Sequence, residues 1–276
     1  MTEIDLAAQA RITRHIAETI GARTAQVSAA VALLDEGATV PFIARYRKEV
    51  TGGLDDTQLR NLQELLIYGR ELEERRAAVI ASVEEQGKMT EELRQAFEAA
   101  DTKQRLEDLY LPYKPKRKTR AQAAVAAGLE PLADKLWKNP GLDPQAEAQA
   151  FVSADKGVAD TKAALAERFA ENADMLEMLR AWLWKHAFIV SSVDEAKKAT
   201  PEAANFRDYF DYSEALNEVA SHRALALFRG RQEGVLTLKM LLTEEEEALP
   251  VHPCQKLIAD FLGWHDEGRA ADQWIA

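Results

Sequence analysis

The residues of this chain best suited to chemistry are cations set close to aromatic rings. Lys114, Lys116, Arg117, Lys118 and Arg120 fall within seven consecutive positions that hold no acid, directly after Tyr110 and Tyr113. A basic loop stiffened by Pro115 and flanked by rings offers charges for phosphate oxygens and a ring face for a base. Arg45, Arg47 and Lys48 form a second group, and Arg223, Arg229 and Arg231 a third, around Ser221-His222-Arg223. Each group also has a purely structural reading. Tyr110 and Tyr113 fill a core while the cations of the loop meet acidic helices. Arg45 pairs with Glu49 one helical turn on. Ser221 caps a helix and needs no other role.

Catalysis has no comparable support. The five histidines, His15, His186, His222, His252 and His265, are scattered, and no two stand at metal-ligand spacing with a carboxylate. The single Cys254 builds neither a zinc site nor an intramolecular disulfide. Gly52-Gly53 lacks the preceding strand and the lysine of a phosphate-cradling loop. Among 46 carboxylates, no pair is singled out as an acid and its base. The run at 244–247 reads as a solvated acidic turn. The sequence predicts no enzyme, no cofactor, no metal and no small-molecule substrate.

The elements that must position the cations are helical. Apolar residues at helical period predict helices over residues 3–20 and 24–36, the second capped by Thr24. A short helix follows from Thr39, with Pro41 in its first turn and Phe42, Ile43, Tyr46 and Val50 on one apolar stripe. Arg45 and Lys48 point away from that stripe. These three helices resemble a helix-turn-helix unit and equally a small bundle. Asp55 and Gln58 stand at capping-box spacing before a helix of about 30 residues and roughly 45 Å. Gly69 falls on its buried stripe, where a neighbour approaches closely or the glycine is merely tolerated. Two short helices occupy 90–109, and Pro112 and Pro115 stop them. Alanine-rich helices continue to about 186. Residues 187–192 and 236–242 read as strands that pair, with a helix over 221–231 between them.

The predicted fold is therefore mostly α. It has an all-helical region at 1–186, with a helix-turn-helix-like unit and one long helix, then a small mixed region at 187–276 with a short β pair. A hydrophobic fraction of 47% with 29% charged residues fits a soluble globular chain. The absence of a basic, apolar leader and of any apolar run near about 20 residues predicts a cytoplasmic protein that meets no membrane. A net charge of −11 argues against a chain that binds polyanions over its whole surface.

Three blocks carry a family resemblance. The first runs Leu33-Leu34-Asp35-Glu36-Gly37-Ala38-Thr39-Val40-Pro41-Phe42-Ile43-Ala44-Arg45-Tyr46-Arg47-Lys48-Glu49, with Thr51-Gly52-Gly53-Leu54-Asp55 after it. The second runs from Leu106-Glu107-Asp108-Leu109-Tyr110 through the basic loop to Ala121. The third joins Phe206-Arg207-Asp208-Tyr209-Phe210 to Ser221-His222-Arg223-Ala224-Leu225-Ala226-Leu227-Phe228-Arg229-Gly230-Arg231. Together they resemble the N-terminal region of the bacterial Tex family of transcription accessory proteins. Ala220 departs from the proline expected before Ser-His-Arg.

The resemblance implies an elongated, mostly helical protein longer than this chain. It continues into a nuclease-like but non-catalytic domain, a helix-hairpin-helix module and a C-terminal S1 RNA-binding domain. Its architecture is similar to that of a eukaryotic elongation factor that travels with RNA polymerase II. The helix opening at 270–276 without a stop signal fits a chain cut before those domains. The expected partner is then nucleic acid, met mainly through the absent domains, with the transcription machinery as a second. This portion is expected to be a scaffold with auxiliary nucleic-acid contact. The alternative is an autonomous helix-turn-helix DNA-binding module over residues 24–50.

Overall fold

The computed structural model describes residues 6–115, 120–126, 128–149 and 158–275. They form two compact units, Met1–Tyr113 and Lys114–Ala276. In the first unit, α1 (Leu6–Ile20), α2 (Thr24–Asp35) and α3 (Val40–Tyr46) gather around the front half of α4 (Asp56–Glu85). Ile12, Ile16, Val27, Ile43, Leu59 and Leu62 are buried in their common core. The rear half of α4 supplies Leu72, Val79 and Val83 to a second core, which α5 (Glu91–Ala99) and α6 (Lys103–Tyr110) complete with Phe97, Leu106 and Tyr110.

The capping box expected at the head of α4 forms. Asp55 accepts from the Gln58 backbone N–H at 2.7 Å, and the Gln58 side chain accepts from the Asp55 N–H at 3.1 Å. The Gln58 amide also donates to the Ile20 carbonyl at 3.1 Å, which satisfies an end group of α1. Gly69 is a point of close approach: a Cβ there would stand 3.1 Å from both Cγ atoms of Ile12.

Two hydroxyl caps do not form. Arg23 and Ala220 occupy the N-cap positions, so Thr24 and Ser221 are first helical residues instead. The stripe on α3 also differs from expectation. The helix ends at Tyr46, and Arg47 leaves helical geometry at φ −132°, so the 3.6-residue period never reaches Val50. Val40 and Ile43 face the core, while Phe42, Tyr46 and Val50 are 40%, 56% and 47% exposed.

In the second unit, α7 (Arg120–Ala126), α8 (Glu130–Lys138) and α9 (Pro144–Ala148) pack with α10 (Val158–Ala170), followed by α11 (Ala173–His186). Leu129, Leu132, Leu136 and Ala271 are buried in their core. The strands are β1 (Phe188–Val193), β2 (Asp211–Ala215) and β3 (Leu236–Leu241), in the order β2-β1-β3 with both pairings antiparallel. The expected pair forms with Phe188 opposite Leu241, and α12 (Ser221–Gln232) links β2 to β3.

Strand β2 adds a third member to the expected pair. Its sequence Asp-Tyr-Ser-Glu-Ala holds poor strand formers, and partner β1 overrides them. The acidic run is a helical turn, α13 (Glu244–Glu247), with Thr243 and Glu246 closing a capping box. After α14 (Pro253–Leu262), the last helix α15 (Asp272–Ile275) packs on the α7–α10 core. The fully buried Asp272 carboxylate accepts from the Glu267 and Arg269 backbone N–H groups and from the Arg269 side chain. These bonds, with Arg269 dominant, hold its carboxyl well below the ordinary aspartate value. Among the described residues, no helix is long and apolar enough to cross a membrane. Residue 186 marks where strands begin, whereas the compact units divide after Tyr113.

Candidate nucleic-acid interface

Arg45, Arg47 and Lys48 are brought together at the outer end of α3, and all three are exposed. The turn that carries Lys48 is held firmly. The Thr51 hydroxyl donates to the Arg47 carbonyl at 3.3 Å, the Gly53 N–H donates to the Lys48 carbonyl at 2.8 Å, and Thr51 is fully buried. From α2, the Gln26 amide donates to the Gly52 carbonyl at 2.8 Å. Gly52 and Gly53 take φ of +61° and +89°, a region that disfavours any side chain, so this turn requires glycine at both positions.

Glu49 does not pair with Arg45. The helix stops three residues before Glu49, which removes it from the turn above Arg45. Among the described residues, none of the three cations meets a carboxylate; Arg47 instead donates to the Tyr46 carbonyl at 3.3 Å and lays its guanidinium 5.3 Å from the Phe42 ring centroid. Elsewhere in this unit, Arg11, Arg60, Arg70, Arg75 and Arg94 are all ion-paired. The Phe42 and Tyr46 rings lie beside the cations, with centroids 5.4 Å apart and planes at 47°. Both rings belong to the apolar stripe expected on α3, and both are exposed. Aromatics one turn apart, interleaved with cations, were the signal available for the other reading.

The basic loop is only partly described. Lys116, Arg117 and Lys118 lie outside the described residues, Arg120 opens α7, and Lys114 is exposed. Tyr110 is unavailable as a stacking surface. It is buried, and its hydroxyl lies 2.9 Å from the Ser82 hydroxyl. Tyr113 packs half-buried against the same core. In the third cluster, Arg223 donates to Glu214 through two nitrogens and Arg229 pairs with Glu233 at 2.8 Å. Hydrogen bonds from Tyr212 and then Arg223 hold the Glu214 carboxyl below its ordinary value. Two of the three arginines there are thus committed to structure. Among the described residues, no three His, Cys, Asp or Glu side chains are grouped to hold a metal ion.

Residues 10–84 match the Tex-like protein N-terminal domain, and residues 139–276 match the Tex central region. The chain is 56% identical over 269 residues to protein YhgF of Escherichia coli, covering 95% of this chain and 34% of that one. It is 53% identical over 236 residues to the transcriptional accessory protein Tex of Neisseria gonorrhoeae, covering 83% and 31%. The human S1 RNA-binding domain-containing protein 1 is 31% identical over 227 residues, covering 78% and 22%. The chain thus spans about a third of its bacterial relatives' length. With two matches in order along its length, this chain belongs to the Tex family.

Proposed function

We propose that this chain is the scaffold and interaction portion of a transcription accessory factor, non-catalytic and cytoplasmic, and that it adds an auxiliary nucleic-acid contact through Arg45, Arg47 and Lys48. The names of the Neisseria gonorrhoeae and human relatives support a role in transcription and an association with RNA. One observation carries the contact: three exposed cations, at the end of α3 and on the tethered turn after it, that meet no carboxylate among the described residues. The loop at 114–120 adds further charge to the same reading. A net charge of −11 favours basic protein surfaces as the main partners and keeps nucleic-acid contact local.

A salt titration tests this. Replacing Arg45, Arg47 and Lys48 together with alanine removes about 2 from the slope of log K against log salt for single-stranded RNA, at about 0.7 per cation. An unchanged slope refutes the contact. Tight, sequence-selective binding of duplex DNA by the unaltered chain would favour an autonomous helix-turn-helix module instead. That reading needs base-reading polar side chains on α3, whose outward face carries Phe42 and Tyr46.

A further inference from the structure

Phe42 and Tyr46 are exposed aromatic side chains in contact with each other, and Val50, in the turn after α3, is exposed as well. The two rings form a tilted pair with centroids 5.4 Å apart, and each still keeps a large share of its surface in water. Arg45, Arg47 and Lys48 alternate with the rings along the chain, and the segment from Thr39 to Leu54 contains one acid, Glu49, so it is net positive. An apolar protein partner would not call for three unpaired cations there. A polyanion alone would not call for two rings. A ligand that satisfies both has flat, aromatic, exposed units on a chain of negative charges.

Resting on the nucleic-acid contact proposed above, we propose that Phe42 and Tyr46 are a stacking platform for unpaired bases, and that the ligand is single-stranded nucleic acid with its phosphates against Arg45, Arg47 and Lys48. In a duplex, base faces are already stacked on one another and only the edges and backbone are exposed, so the rings find no partner. Arg47 serves both parts of the ligand. Its guanidinium lies 5.3 Å from the Phe42 centroid, which presents ring and charge as one surface. The tethers from Gln26 and Thr51 hold that surface in place before any strand arrives, so little ordering is left to accompany binding.

The test measures fluorescence anisotropy of labelled oligouridine, oligothymidine, a DNA hairpin duplex and heparin with the full chain. The variants are Phe42→Ala with Tyr46→Ala, Phe42→Tyr with Tyr46→Phe, and the triple alanine replacement of the cations. All these side chains are exposed, and circular dichroism checks that each variant is folded. The double alanine variant is expected to lose about 10-fold or more in affinity for both single strands. It keeps its salt slope and its affinity for duplex and heparin, and the exchanged aromatics restore single-strand binding. If the double alanine variant binds oligouridine and oligothymidine like the parent while the cation triple does not, stacking is overturned and the charge contact stands. If heparin binding falls equally, the rings serve acidic polymers in general and the platform is again overturned. If neither variant changes any affinity, both readings fall.

Discussion

Arg76 and Glu73 lie three residues apart on α4 and close a buried ion pair, the Arg76 Nε donating to Glu73 Oε2 at 3.2 Å. Arg11 of α1 meets the same carboxylate with two nitrogens, at 3.1 and 2.7 Å. Arg76 also donates to the carbonyls of Phe97, Glu98 and Ala100, the end groups of α5. One guanidinium therefore neutralises a buried acid and completes the end of the next helix. Replacing Arg76 with Met leaves those carbonyls without this donor and the carboxylate with a single cation. The expected loss is about 3–5 kcal/mol, read as faster amide exchange in peptides from α4 and α5.

The same carboxyl sets a pH dependence. Burial works to raise the Glu73 value, and the hydrogen bonds and charges of Arg11 and Arg76 outweigh it, so the group titrates below its ordinary 4.5. The folded state thus favours the ionised form. Its stabilisation is complete above the unfolded value and is lost as pH falls through the lower folded one. Urea midpoints followed by circular dichroism are expected to fall below about pH 4.5, and Glu73→Gln to flatten part of that decline while lowering the midpoint at neutral pH.

Gly69 and Ile12 give a change of sign. Alanine has a helix propensity better than glycine by about 1 kcal/mol. At Gly69, however, its Cβ presses on a β-branched side chain that is stiff in a helix. Gly69→Ala lowers the melting temperature in the parent and raises it in an Ile12→Ala background. A double-mutant cycle measures the difference directly.

Gly230 is tighter still. A Cβ there would lie 2.6 Å from Leu236 Cδ1 and 3.0 Å from Phe206 Cδ1, both buried side chains. Gly230→Ala is expected to destabilise the α12–β3 contact by about 1–3 kcal/mol, in spite of the helix-propensity gain. Trp137, Trp182, Trp184, Trp264 and Trp274 all belong to this unit, so intrinsic fluorescence during thermal unfolding follows the effect.

The helices were legible because their stripes, breakers and the Asp55–Gln58 cap are local signals. Gly69 was legible as a glycine on the buried stripe, with close approach and mere tolerance both open, and it is the position of Ile12 that decides for close approach. The network of Arg76 and Glu73 was not, since a count of apolar residues passes over charged ones on the same face. Strand β2 was hidden because its stability comes from β1, far away in sequence. The candidate site was half legible. Its cations were visible as a cluster, but the exposure of its rings depends on which face of α3 packs on α4, with Val40 and Ile43 inward and Phe42 and Tyr46 outward. Separately, Arg47 leaves the helix, after which Val50 and Glu49 no longer follow the period.

The shared helix α4 has a consequence for where this unit can be divided. Its front half belongs to one core and its rear half to the other. It acts as a beam built into both walls. A cut anywhere along it, or just beyond Glu85, strips Phe97, Leu106 and Tyr110 from the rear wall and leaves Leu72, Val79 and Val83 facing water. The span that matches the Tex-like N-terminal domain ends at residue 84, short of those side chains. The compact unit is therefore longer than the matched span and extends to Tyr113.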